Sequence, residues 1–257
     1  AIVTAITGIA VALGTVAVKA AEAKTANAEL LESLEESQAA FDDTITAVRS
    51  QGKSLMESVS ALESLAAVEN KSALEKETML ALVNSLNEAV PDLTLAYDEQ
   101  TDSLNMTGDA IRRIAQAELD RQEQAEAVGR MKTLLEENAD ISARLADEKE
   151  RLADAEKEMQ RVQAQIAIGN YSEQITEYAL AAEDAQEQIE LLTETLRENK
   201  AAQDALIAKY GESSAASETV ADSFSGLSAE TERLTQSVDT LSAALKEQSD
   251  QGSLSHE

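Results

Sequence analysis

The chain has 257 residues with one Pro, nine Gly and an aromatic content of 2%, too few turns and rings for a sandwich, a barrel or a βαβ sheet of this length. Its excess of Ala, Glu, Leu, Gln and Ser reads instead as long helix and coiled coil. Lys+Arg 21 against Asp+Glu 49 leaves a formal charge of −28, which excludes charge-driven binding to nucleic acid or anionic lipid, and the absence of Cys excludes disulfides and thiolate chemistry.

Residues 1–19 form an apolar helix in which Lys19 is the first charge. Its eighteen uncharged residues sit at the lower edge of what spans a hydrocarbon layer about 30 Å thick, and no basic stretch of a secretory signal precedes them. Ile2, Ile6, Ile9, Leu13 and Val16 recur at spacings of four and three, a stripe suited to a partner helix or to membrane activity. Every seventh position from Ile6 continues the stripe through Leu13, Ala20, Asn27, Leu34, Phe41, Val48, Leu55 and Leu62. The register predicts one continuous helix from the apolar segment through a coiled coil over 20–70, with Leu34, Phe41, Val48, Leu55 and Leu62 as an oligomer seam. Gly52 is its weak point, and Asn27 is either a register-setting polar residue or a solvated one.

Ser72-Ala-Leu-Glu75 fits a capping box, so a fresh helix carrying Leu74, Leu82, Val83, Leu86 and Val90 starts there and stops before Pro91. The period then changes. Leu93, Leu95 and Tyr97 alternate with small or polar residues, Asp98 to Asp102 is turn-like, and Leu104 and Met106 alternate again, which predicts a small β-hairpin near 92–107. Thr107 can cap the next helix, with Asp109 complementing its positive end, so that 71–107 forms a capped helix plus hairpin.

A second long helix runs from Ala110 to about Ile168, its apolar seam interrupted by Asn138 and Glu148, and Gly169-Asn170 can end it. A third helix reaches Tyr210, and two seams joined by so short a turn predict an antiparallel helical hairpin over 108–210. A C-terminal helix over 211–248, with Val220, Phe224, Leu227, Leu234, Val238, Leu241 and Leu245, precedes a polar tail over 249–257. The expected fold class is all-α, made of elongated coiled-coil helices, a helical hairpin and one small β-hairpin insertion.

The residues that could carry chemistry are few. His256 is the only His and lies in the polar tail, so one chain assembles no triad and no His metal site. Glu35-Glu36, Asp42-Asp43 and Glu136-Glu137 lie on solvated helix faces, where neither carboxylate is desolvated for acid/base work. Asp98, Gln100, Asp102 and Asp109 loosely resemble a calcium loop, yet Ser103 stands where the sharp turn needs Gly and Asp where the last ligand should be Glu, so a plain turn is expected. Asn70-Lys-Ser, Asn105-Met-Thr and Asn170-Tyr-Ser match a glycosylation pattern short enough to recur by chance. No catalytic, metal or cofactor residue is assigned, no cofactor is expected, and the chain is read as no enzyme.

One stretch is distinctive. Leu86 to Thr107, LNEAVPDLTLAYDEQTDSLNMT, ends a helix at Pro91, alternates through Leu93 and Leu95 into Tyr97-Asp98-Glu99-Gln100-Thr101, and opens the next helix with Leu104-Asn105-Met106-Thr107. It resembles a segment of the tail tape measure proteins of bacteriophages and prophages of Gram-positive bacteria. The apolar segment upstream and the acidic Ala-rich helices downstream agree with that family. The resemblance implies an internal piece of a longer chain that sits in the tail tube lumen of the virion, sets tail length, and leaves ahead of the DNA, its apolar segment aiding passage through the host membrane. Implied partners are further copies of the chain, trimeric in preference to dimeric, the tail tube protein, tail assembly chaperones and the host membrane on ejection. The alternative from composition is a membrane-anchored extracytoplasmic coiled-coil sensor or spacer with residues 1–18 as the end of its anchor.

Overall fold

The computed structural model describes residues 2–166 and 172–211, with side chains over 18–163 and 176–211. The turn expected at Gly169-Asn170, the sequon at Asn170, the helix expected over 211–248 beyond Gly211, the tail with His256, and the side chains of the stripe Ile2, Ile6, Ile9, Leu13 and Val16 lie outside the described residues. Within them are four helices, α1 (Ile2–Ala66), α2 (Ala73–Ala89), α3 (Gly108–Ile166) and α4 (Ser172–Tyr210), and one two-stranded antiparallel sheet, β1 (Tyr97–Asp98) with β2 (Ser103–Leu104). The fold is all-α with a small β-hairpin, and α1 runs without a break from the apolar segment to Ala66. Among the described residues no helix is long and apolar enough to cross a membrane.

The described chain divides into two units. The capped unit comprises 38–130 with 209–211. Here α1 and α3 lie antiparallel, as rising numbers on one meet falling numbers on the other: Gln38 accepts from Arg130, Arg49 pairs with Glu123 and Glu63 with Arg112. Leu55, Val59 and Leu62 of α1, Met79, Val83 and Leu86 of α2, and Ile111 and Ala115 of α3 close one core together with Val90, Leu93 and Leu95. Each Leu or Met moved from water to such a core contributes about 2 kcal/mol. Gly52 does not break α1. A Cβ there would meet Leu119 Cδ1 at 2.9 Å, so the missing side chain makes room for α3 to approach. Leu74, one of the apolar residues read onto α2, is exposed.

The three-helix unit comprises 2–37 and 131–208. Arg151 bonds to Asp184 and Asn138 to Asn199, so α3 and α4 are antiparallel. Lys24 reaches Asp184 and Glu187, and Asn27 reaches Gln188, so α1 runs parallel to α4. Leu30, Leu31 and Leu34 of α1 pack on Ile141, Leu145 and Leu152 of α3 and on Ala185, Ile189, Leu192 and Leu196 of α4.

These contacts decide what covers the predicted oligomer seam. Leu34, Leu55 and Leu62 are buried, Phe41 and Val48 half-buried, and the helices that cover Leu34, Leu55 and Leu62 belong to the same chain. A heptad seam fits any apolar neighbour of the right pitch, so the pattern does not distinguish an internal partner from another copy.

Candidate functional site: the hairpin cap

The motif that carries the family resemblance is the cap on the end of the α1/α3 pair in the capped unit. Ser72 starts α2 as anticipated: its hydroxyl accepts from the Glu75 N–H at 3.3 Å while the Glu75 carboxylate takes the Ser72 N–H at 2.7 Å. The helix ends at Ala89, and the Val90 N–H reaches back to the Leu86 carbonyl before Pro91. Thr107 caps α3, accepting from the Ala110 N–H, and Asp109 lies in the first turn. At Gly108 a Cβ would collide with the Glu63 carboxylate, so glycine leaves room for that group at the positive end of α3, where Arg112 also holds it.

The strands are shorter than the alternation predicts. Pairing is confined to Tyr97 with Leu104 and Asp98 with Ser103, and Leu93 to Ala96 are not strand. Two asparagines do the work of a neighbouring strand there. Asn87 donates to the Leu95 carbonyl and accepts from the Leu95 N–H, both at 2.8 Å. Asn105 donates to the Thr94 carbonyl at 3.0 Å and accepts from the Ala96 N–H at 2.8 Å. A carboxamide carries the same donor and acceptor as a peptide group, so it satisfies the backbone without a ladder. Thr94 sits at φ 44, an uncommon place for a β-branched residue, and these bonds hold it there with Leu93 and Leu95 buried on either side.

Below the turn lies a cluster that spacing does not reveal. The Lys71 ammonium, its side chain 1% exposed, donates to the Ala66 and Val68 carbonyls at the end of α1 and to the Asp102 carboxylate at 3.0 Å. The Tyr97 hydroxyl donates to the same carboxylate at 2.6 Å. Asp102 is at φ 52, a conformation that Asp tolerates better than most residues. One lysine thus ties the end of α1, the start of α2 and the hairpin turn together. Above it, Asp98 accepts from the N–H groups of Gln100 and Thr101, and Lys76 donates to the Glu99 carbonyl. Asp98 and Asp102 of the run that resembles a calcium loop are engaged in this way, and among the described residues no group of three or more His, Asp or Glu is arranged to hold a metal ion.

The electrostatics fit a structural clasp. The Tyr97 hydroxyl bond, followed by Lys71, holds the Asp102 carboxyl below its ordinary range, and the same bond with burial pushes the Tyr97 phenol up to about 12. Both shifts move away from neutrality, so neither group exchanges a proton readily at physiological pH. Because the folded phenol titrates above its unfolded value of 10.0, its stabilisation is intact below pH 10 and is lost as the pH rises through 12. Ultraviolet titration of the four tyrosines should show a component near pH 12 that Tyr97→Phe removes; a component near 10 in its place would contradict the clasp.

The motif residues Pro91, Leu93, Leu95, Tyr97, Asp98, Glu99, Gln100, Leu104, Asn105, Met106 and Thr107 come together in this cap, where Tyr97, Leu104 and Met106 pack on the buried core and Glu99 and Gln100 are exposed at the tip. Sequence reasoning gave no role to Lys71 and Glu63, which lie outside the Leu86 to Thr107 stretch, or to Asn87 within it, and none of the three carries a periodic signal. Tyr210, at the end of the third helix, is buried, and its hydroxyl bonds to Glu123, on which Arg49 and Lys209 also converge. Burial pushes the Glu123 carboxyl up, and the bonds from Arg49 and Tyr210 with the Lys209 charge outweigh it. Comparison with protein-family models, curated proteins and solved structures finds no match to this chain.

Proposed function

We propose that the chain is a structural, non-catalytic segment of a phage tail tape measure protein, a helical ruler that occupies the tail tube lumen, sets tail length, and leaves ahead of the DNA. The observation that carries this reading is the cap: the distinctive Leu86 to Thr107 stretch folds as one clasped unit whose buried residues, asparagines and charged groups are spent on holding helix ends. A helix has a constant rise of about 1.5 Å per residue, so α1, α3 and α4 supply length in proportion to residue number when laid end to end. The antiparallel packing of α1 and α3 is then the form of the free chain. In the tube the same seams, Leu34 to Leu62 among them, re-pair with further copies of the chain, for which a trimer is the preferred state. Tail tube subunits and assembly chaperones are the other partners, and the net charge of −28 keeps the ruler from adhering to the DNA that follows it. The apolar segment 1–18 enters the host membrane during ejection.

A membrane-anchored extracytoplasmic spacer is the second reading, favoured by the unbroken passage of α1 from the apolar segment into the folded units. Mass spectrometry of purified phage particles separates the two. The ruler reading expects peptides of this chain in DNA-filled particles and their loss after ejection; recovery in the cell envelope with none in particles overturns it and supports the spacer.

A further inference from the structure

Two polar layers cross the apolar seams of the three-helix unit. In the first, Asn27 of α1, 1% exposed, donates to Glu148 of α3 at 2.8 Å and to Gln188 of α4 at 3.3 Å, and Arg151 closes the layer between Glu148 and Asp184. In the second, Asn199 of α4 donates to Asn138 at 3.0 Å and to Glu137 at 3.4 Å, both on α3. The layers are not optimal for stability, because Asn27 Oδ1 and, one turn beyond the second layer, Gln203 Nε2 are buried without a partner. Buried polar groups in that condition weaken a seam relative to well-packed apolar side chains.

We propose that these layers are a register lock that selects one alignment of α4 against α3 and α1. A helical seam tolerates displacement by seven residues as far as apolar side chains are concerned. One heptad in either direction, however, sets Leu192 or Leu206 opposite Asn138 and sets Met131 or Leu145 opposite Asn199, and all four of those residues are buried. The same move replaces Gln188 by Ala181 or Thr195 against Asn27. Each slipped alignment therefore strands buried carboxamides among apolar neighbours, whereas the observed one pairs them. The layers lie ten residues apart on α3, from Asn138 to Glu148, and eleven apart on α4, from Gln188 to Asn199, so no one-heptad slip lays one layer over the other.

The chain has no Cys, so spin labels at Glu136→Cys on α3 and Glu183→Cys on α4, both exposed, report the alignment in the full-length protein without interference. The parent should give one inter-label distance. Asn138→Leu, Gln188→Leu and Asn199→Leu together should raise the melting temperature and add a second distance, one heptad or about 10 Å of axial travel away. Transplanting the lock with Gln188→Leu, Asn199→Leu and Leu192→Asn should make the displaced distance the main one, since Asn138 then meets its partner seven residues earlier. A single unchanged distance in both variants would overturn the proposal. Loss of cooperative folding in the triple-Leu variant would overturn it too, since the layers would then supply stability.

Discussion

Replacing Lys71 by methionine should destabilise the chain by about 3 kcal/mol, more than the removal of any exposed ion pair. The aliphatic stem is kept, so the loss falls on the ammonium, whose three acceptors are the Ala66 and Val68 carbonyls and Asp102. Without it two carbonyls at the end of α1 lose the donor that a side chain only 1% exposed brings them, and the part-exposed Asp102 carboxylate keeps only the Tyr97 hydroxyl. Asp102→Ala should also destabilise, and the double variant should lose less than the sum, because each substitution already breaks the shared contact. Equilibrium unfolding in urea followed by circular dichroism measures all three. Additive losses, or a Lys71→Met loss below about 1 kcal/mol, would mean that the clasp does not tie the segments together.

Leu62→Ala should remove about 3 kcal/mol, the cost of an empty leucine site in a core that cannot collapse. Leu62 is fully buried in the cluster that joins α1, α2 and α3. Phe41 and Val48, in the same heptad column, are only half-buried, and alanine at Val48 should lose about a third as much. The loss at Leu62 should also be the same at every protein concentration, because the covering helices belong to the same chain. A seam closed by other copies would instead melt at a temperature that rises with concentration.

What the residues reveal in order along the chain depends on whether the determinant is local. The capping box at Ser72, the stop before Pro91 and the Thr107 cap are decided within four residues, and each is where the pattern places it. The hairpin was legible in position and not in extent, since Asn87 and Asn105 replace a ladder by side-chain bonds that alternation does not encode. Asn27 was recognised as either a seam or a solvent residue, and its partners Glu148 and Gln188, 121 and 161 residues away, decide for the seam. Gly52 reads as a weakness in the sequence because the approach of Leu119 is invisible without the fold. The clasp was not legible for the same reason. Lys71 is the one basic residue of a short loop, and only the close passage of Asp102 and the end of α1 makes it a structural residue.

Tail length in phage particles tests the proposed ruler most directly. Deleting two heptads from each of α1, α3 and α4 removes 42 residues while preserving the pitch of every seam. At about 1.5 Å per residue, electron micrographs should show tails shorter by about 63 Å, with infectivity retained if the cap is intact. Shortening by only about 21 Å would mean that the helices measure while folded against one another. Tails of unchanged length would contradict the ruler altogether.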